Sequence, residues 1–298
     1  MLNFKKIIHS SSPFSLFVLD NVLDEDEFYE IKDEVRHIFD NTSKIDHVLA
    51  HEANRTDDNF KPGISNLIGG NLPNKTSADI VINQAKNGGR LEKLCKGFLD
   101  KETQKTLYRT LVPISIFDLK SLRPLKIHSK LYKISIFDYI FFKNCYVNLK
   151  LSSYTSNFGL AQHKDHHDKV TALLFYLGFT DDVLRNSYST QLFEVTEGNY
   201  QWSKKIANST LDYYEEKKLN LVHEVNSVPN RLFGFRKTRH SWHAVEPSHL
   251  PPGVRREVLQ VNLMNHYNSS KNLEILRFLI NSVKSLIRPI LKRALAYK

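Results

Sequence analysis

The second half of the chain is dominated by short apolar segments that repeat with the two-residue period of β-strands. In residues 146–151, Val147, Leu149 and Leu151 share one face, and polar residues occupy the other. Many short strands after a helical N-terminal part are typical of a jelly roll rather than of a parallel sheet. The sequence therefore predicts an all-β core, a double-stranded β-helix, with helical additions. Further strand candidates are residues 134–142, 170–178, 190–195, 221–225, 231–235 and 257–264.

The N-terminal part carries helical periodicity instead. Asp24 is a favourable N-cap and Glu27 follows three residues later, which together form a capping-box pattern. Apolar residues then recur at helical spacing from Phe28 to Phe39. Helices are also predicted near residues 76–88 and 91–99. We expect these helices to pack outside the barrel.

The length of 298 residues suits one large β-barrel-type domain with helical additions. Residues 1–265 are predicted to form this single domain, with its core at about 140–265. Residues 266–298 follow as a basic amphipathic helix, and residues 271–298 hold seven Lys and Arg against one Glu. The pattern favours packing on the same domain or a second subunit over peripheral contact of residues 273–296 with an anionic membrane.

Charge and cysteine content exclude several classes of protein. The net charge is +10, but much of it lies in the C-terminal tail, so the body gives no strong nucleic-acid signal. The two cysteines imply no disulfide framework. A polar stretch at residues 9–13 interrupts the N-terminal apolar residues before a signal-type segment is complete. A cytoplasmic location is therefore expected.

A metal-binding pattern stands directly before the apolar segment 170–178. His163 and Asp165 are two residues apart, so on an extended strand both side chains project from one face. An imidazole nitrogen and a carboxylate oxygen could then reach one ion. His166 and His167 are rival ligands in the same polar stretch.

A third ligand must come from elsewhere in the chain, because two side chains do not hold a catalytic metal. His240 and His243 both follow the apolar strand predicted at residues 231–235. Two histidines and one carboxylate on one side of an octahedron form the facial triad of non-heme Fe(II) oxygenases.

The order of these motifs resembles the 2-oxoglutarate- and Fe(II)-dependent dioxygenase superfamily, and most closely its prolyl-hydroxylase-type branch. The resemblance covers roughly residues 140–265. His163 and Asp165 match the H-x-D motif of the family, and His243, in His-Ala-Val-Glu-Pro, matches its distal histidine. The resemblance implies that these three residues bind Fe(II), with 2-oxoglutarate and O₂ as co-substrates.

The resemblance also implies an arginine at the start of the last strand, where it binds the distal carboxylate of 2-oxoglutarate. Arg255 and Arg256 both fit, and Arg256 is preferred because it opens the alternating strand. Tyr176 and Tyr154 match family tyrosines near the co-substrate. Lys169 could compete with Arg256 for the carboxylate, but a surface position is the preferred interpretation.

The activity implied by the resemblance is hydroxylation of an unidentified small-molecule or peptide substrate, with release of succinate and CO₂. Asp165 retains the carboxylate ligand, which related halogenases replace with a small residue. The alternative is a non-catalytic, cupin-like barrel that binds a metal or a sugar. The long interval between Asp165 and His243 implies an insertion near residues 196–220.

Overall fold

The computed structural model describes twelve stretches of the chain. The rival ligands His166, His167 and His240 lie outside them, as do the strand predicted at 134–142 and the C-terminal helix predicted at 266–298. The described residues are 8–10, 13–41, 46–49, 64–68, 76–111, 145–165, 169–181, 188–196, 212–213, 219–237, 241–245 and 249–265.

The N-terminal part combines short strands with helices. The first helix begins directly after Asp24, the residue predicted to cap it. The elements are β1 (Ile8–Ser10), β2 (Leu16–Asp20), α1 (Glu25–Asn41), β3 (Asp46–Leu49), β4 (Ile64–Ile68), α2 (Ser77–Gln84), α3 (Arg90–Leu99) and α4 (Lys101–Leu111).

The remaining described elements are strands. They are β5 (Cys145–Tyr154), β6 (Leu160–Lys164), β7 (Lys169–Phe179), β8 (Ser189–Val195), β9 (Asp212–Tyr213), β10 (Leu219–Asn226), β11 (Arg231–Arg236), β12 (Trp242–Val245) and β13 (Arg256–Asn265).

Within the described residues these strands form two antiparallel sheets. The larger sheet has the order β1-β2-β11-β7-β13-β5-β4-β3, and the smaller has the order β10-β8-β12-β6-β9. From β5 onward the chain crosses repeatedly between the sheets, so β5, β7, β11 and β13 form the centre of one and β6, β8, β10 and β12 most of the other. Two four-stranded halves connected in this way define a jelly roll. The predicted double-stranded β-helix is confirmed.

Strand alternation separates two apolar cores on opposite faces of the larger sheet. On β13, Leu259, Val261 and Leu263 pack with the helices, whereas Val258 belongs to the core between the sheets. Helix α1 contributes Phe28 and other predicted apolar positions to the helix-side core. The helices therefore lie outside the barrel, as predicted. Among the described residues, no helix has both the length and the apolar character required to cross a membrane.

Candidate metal centre

Three side chains predicted to bind a metal converge between the sheets. His163 lies on β6, Asp165 directly follows that strand, and His243 lies on β12. The two histidines are paired across the β6–β12 ladder, and their ring centroids are 4.3 Å apart. One potential ligand atom from each of the three residues lies within 4.8 Å of the others. All three are buried, so one ion could contact all of them away from bulk water.

The orientation of His243 suits metal binding. Its Nδ1 lies 3.0 Å from the carbonyl oxygen of Ser241. A carbonyl can only accept a hydrogen bond, so Nδ1 carries the proton and Nε2 presents its lone pair. That Nε2 lies 3.7 Å from Oδ2 of Asp165. Backbone contacts of this kind fix the tautomer and the ring orientation of metal-binding histidines.

Asp165 has one oxygen that its surroundings leave unsatisfied. Its Oδ2 is buried and has no hydrogen-bond partner among the described residues. A buried carboxylate oxygen without a partner is costly, and a cation at this position would remove that cost. The donor set of two imidazole nitrogens and one carboxylate oxygen matches the facial triad of Fe(II). The residues present therefore fit the predicted metal.

Electrostatics keep the candidate ligands in their metal-binding forms. Burial by itself would raise the pKa of Asp165, but neighbouring positive charge, the Lys169 ammonium first, opposes this effect and holds that pKa well below its usual range. Burial lowers the pKa of His243, although the Asp165 carboxylate opposes this effect. An ionised carboxylate and a neutral imidazole are the forms that bind metals.

Lys169 belongs to this site as well. The prediction that it lies at the surface is wrong, because its side chain is only 15% exposed and its Nζ donates to Oδ1 of Asp165 at 2.6 Å. Sequence periodicity could not reveal this contact, since three residues separate Asp165 from Lys169 and the alternation of β7 is interrupted by a bulge near its start.

Arg256 opens β13 and points into the space between the sheets. It is 3% exposed, and its guanidinium carbon lies 4.9 Å from the ring centroid of Tyr154, a cation–π geometry. Its Nη1 also lies 3.4 Å from Oγ of Ser227. A buried guanidinium at this position is well suited to a carboxylate partner.

Arg255 lies on the opposite, helix-facing side of the sheet. Its Nη2 bonds to Oδ1 of Asp40 on α1 at 2.8 Å and lies 3.7 Å from Oε1 of the buried Glu257. The structure thus directs only Arg256 of the two arginines toward the inter-sheet core.

The two predicted tyrosines lie on the same inner face. The Tyr176 hydroxyl is 2.9 Å from Oγ1 of Thr190, and burial raises the pKa of Tyr176 to about 12. It therefore remains a neutral hydrogen-bonding group. The Tyr154 hydroxyl accepts a hydrogen bond from Nε2 of Gln260 at 2.8 Å, which leaves its own proton available to a ligand.

Sequence reasoning missed Thr190 and Ser227 as members of this pocket, and it favoured a surface position for Lys169 over one in the pocket. Thr190 and Ser227 bond to Tyr176 and Arg256, respectively. A hydroxyl residue in or beside a strand carries no periodicity signal that distinguishes it from a solvent-facing one. Gln260 does carry such a signal, because it shares the β13 face of Arg256.

Comparisons with known proteins give only distant structural similarity. No family model and no curated protein sequence matches the chain. A prolyl hydroxylase from Trichoplax adhaerens, solved with a hypoxia-inducible factor peptide, superimposes with a TM-score of 0.43 and 13% identity, covering 86% of this chain and 87% of that one.

Two further solved structures are similarly distant. A prolyl-4-hydroxylase from Pseudomonas putida gives a TM-score of 0.43 at 10% identity, over 84% of this chain and 92% of that one. A prolyl 4-hydroxylase from Phytophthora capsici gives 0.42 at 15% identity, over 86% of this chain and 61% of that one. Similarities of this size carry no information about substrate.

Proposed function

We propose that this protein is an Fe(II)- and 2-oxoglutarate-dependent dioxygenase that hydroxylates a small-molecule or peptide substrate. The observation that carries the proposal is the buried convergence of His163, Asp165 and His243, with ligand atoms within 4.8 Å of one another. Three donors on one side of an octahedral ion leave three positions for co-substrate and O₂.

The inner face of the larger sheet supplies the groups that a dicarboxylic co-substrate requires. Arg256 would bind the distal carboxylate of 2-oxoglutarate through its planar fork of donors. Tyr176 and Tyr154 line the same inner core, and their hydroxyls can act as hydrogen-bonding groups beside that carboxylate. Pairing within the pocket would offset the cost of burying the charge.

Apolar side chains around the ligands would keep bulk water from the reaction. The ring centroids of Phe235 and His243 are 4.8 Å apart. Leu192 lies on β8, is paired with His243 of β12, and is fully buried. A dry pocket strengthens the electrostatic interactions of the site and prevents side reactions.

When bound, Fe(II) and 2-oxoglutarate would supply the activation of O₂. With both bound, one oxygen atom of O₂ would end in a hydroxyl group on the substrate and the other in succinate, with release of CO₂. Because Asp165 retains a carboxylate at the ligand position, hydroxylation is the proposed outcome.

Succinate formation from 2-oxoglutarate under air tests the proposal. Protein loaded with Fe(II) would be assayed by mass spectrometry with a panel of prolyl peptides, free amino acids and sugar derivatives. Wild-type protein and His223→Ala, which alters an exposed histidine of the smaller sheet, should both form succinate. Asp165→Ala should reduce succinate to background.

Two results would contradict the proposal. Asp165→Ala with wild-type turnover would separate the reaction from this site. Metal binding to His163, Asp165 and His243 without succinate formation across the panel would instead support the alternative, a non-catalytic metal- or sugar-binding barrel.

A further inference from the structure

The carboxylate of Asp165 has two oxygens in different surroundings. Oδ1 accepts a hydrogen bond from the Lys169 ammonium at 2.6 Å, whereas Oδ2 faces Nε2 of His243 at 3.7 Å. Resting on the proposed function, we propose that Lys169 is a positioning residue that reserves Oδ1 and so makes Asp165 a monodentate metal ligand through Oδ2.

A β-bulge brings Lys169 into the site. In the β13–β7 ladder, Leu263 pairs with Thr171 and Met264 pairs with Lys169, so Val170 is an extra residue on β7. Strict alternation would place Lys169 on the face of Thr171, whose partner Leu263 belongs to the helix-side core. The extra residue turns Lys169 to the opposite, inner face. Bulges at barrel rims commonly re-aim a side chain in this way.

The bulge is anchored by the neighbouring strand. The backbone N–H of Lys237, directly after β11, donates to the carbonyl oxygen of Val170 at 2.9 Å. The extra residue therefore has a backbone partner of its own. This contact holds the start of β7 at the position from which Lys169 reaches Asp165.

Coordination number explains why reserving Oδ1 matters. A carboxylate can bind a metal through one oxygen or both, and a second Asp165 oxygen would occupy one of the positions that the facial triad leaves open. The charge-assisted bond from Lys169 engages Oδ1 and competes with that second metal contact. Three open positions then remain for the two donor atoms of 2-oxoglutarate and for O₂.

Lys169 is poorly placed for the other role considered for it, as anchor of the distal carboxylate. Arg256 pairs with Phe179 at the end of β7, whereas Lys169 pairs with Met264 at the start of β7. The side chains of Arg256 and Lys169 therefore start from opposite ends of the β7–β13 ladder. Arg256 lies at the far end, and Lys169 lies beside the metal ligand.

The test uses Co(II) as a spectroscopic substitute for Fe(II), with full-length protein under nitrogen. Lys169→Met removes the ammonium but keeps an apolar stem, and Lys169→Arg restores a cation that can donate to Oδ1. Lys164→Met is the matched control, because the Nζ of Lys164 on β6 lies 4.7 Å from the centroid of the buried Trp242 ring, on the face of β12 opposite to His243. The measurements are Co(II) affinity, the intensity of the Co(II) d–d absorption, 2-oxoglutarate affinity by calorimetry, and melting temperature.

We expect Lys169→Met to retain Co(II), to change the d–d absorption, and to bind 2-oxoglutarate about 10- to 100-fold more weakly. This range is taken from the loss of metal affinity or activity that follows removal of a group that orients a metal ligand. Lys169→Arg should recover the wild-type spectrum and much of the 2-oxoglutarate affinity. Lys164→Met should match wild type in Co(II) affinity, d–d absorption and 2-oxoglutarate affinity, and loss of the contact with Trp242 should lower only its melting temperature.

The outcomes separate this inference from the proposed function. Wild-type protein that binds neither Co(II) nor 2-oxoglutarate would overturn both. If wild type binds both and Lys169→Met behaves like Lys164→Met, the role of Lys169 is overturned while the function stands. Loss of Co(II) itself in Lys169→Met, at an unchanged melting temperature, would also overturn the inference, because the ammonium would then secure the ligand rather than set its denticity.

Discussion

Replacing Arg256 by Met should selectively abolish tight binding of 2-oxoglutarate. Arg256 is 3% exposed and lies between the Tyr154 ring and the Ser227 hydroxyl, so its guanidinium is largely removed from water. Methionine can keep part of the apolar contact with the tyrosine ring but offers no positive charge.

The magnitude follows from this burial. A carboxylate bound beside Arg256 would lose its hydration, and removing one partner of a buried ion pair costs about 3–5 kcal/mol. Since about 1.4 kcal/mol corresponds to a tenfold change in affinity, the dissociation constant should rise by about 10²- to 4 × 10³-fold. An exposed ion pair would lose only about 0–1 kcal/mol.

Calorimetric titration of 2-oxoglutarate into Co(II)-loaded protein under nitrogen measures this loss. The matched control is Arg255→Met, because Arg255 faces the helices and contacts Asp40 and Glu257. That control should lower the melting temperature but leave 2-oxoglutarate affinity at the wild-type level. Wild-type affinity in Arg256→Met, or a large loss in Arg255→Met, would refute the assignment of the anchor.

Three other substitutions test the surrounding structure. Burial raises the pKa of Glu257 from 4.5 to about 7, so the folded protein retains this proton between those values while the unfolded chain releases it. Folding stability should therefore fall by about 3 kcal/mol as pH rises through that window. Glu257→Gln should remove this decline in urea unfolding between pH 5 and pH 8, and equal pH slopes in both proteins would contradict the prediction. Tyr176→Phe loses a buried hydroxyl contact and should cost about 1–2 kcal/mol in urea unfolding while weakening 2-oxoglutarate binding; unchanged affinity would exclude the hydroxyl from the pocket. Gly234→Ala would place a Cβ 2.5 Å from Cε1 of Phe17 and should destabilise the protein by about 1–3 kcal/mol. In Gly97→Ala a Cβ meets nothing within 4 Å on α3, so this control should stabilise by about 0.5–1 kcal/mol, and equal effects at the two glycines would contradict the packing argument.

Local sequence patterns were sufficient to predict much of the fold. The two-residue period of β13 separates Arg256 from Arg255, and the structure places them on opposite faces. The helical period of α1 likewise identifies the apolar positions that pack on the sheet. These predictions succeed because side-chain direction along a regular element depends only on its local backbone geometry.

Other features required the folded chain. The alternation of β13 predicts that Glu257 faces the helices. Its complete burial beside Arg255 and α1, however, could not be predicted for a charged residue. The direct pairing of His163 with His243 depends on the register between β6 and β12. Register is set by turns and by packing between distant segments, so it is not contained in either strand alone.

The sequence by itself determined the identity of the candidate ligands and the faces of the regular strands. Tertiary structure decided that Lys169 reaches Asp165, because the extra residue at Val170 reverses the alternation at that point. A bulge arises from how β7 pairs with a strand almost a hundred residues away in the chain. The alternation of residues within β7 does not predict such a pairing.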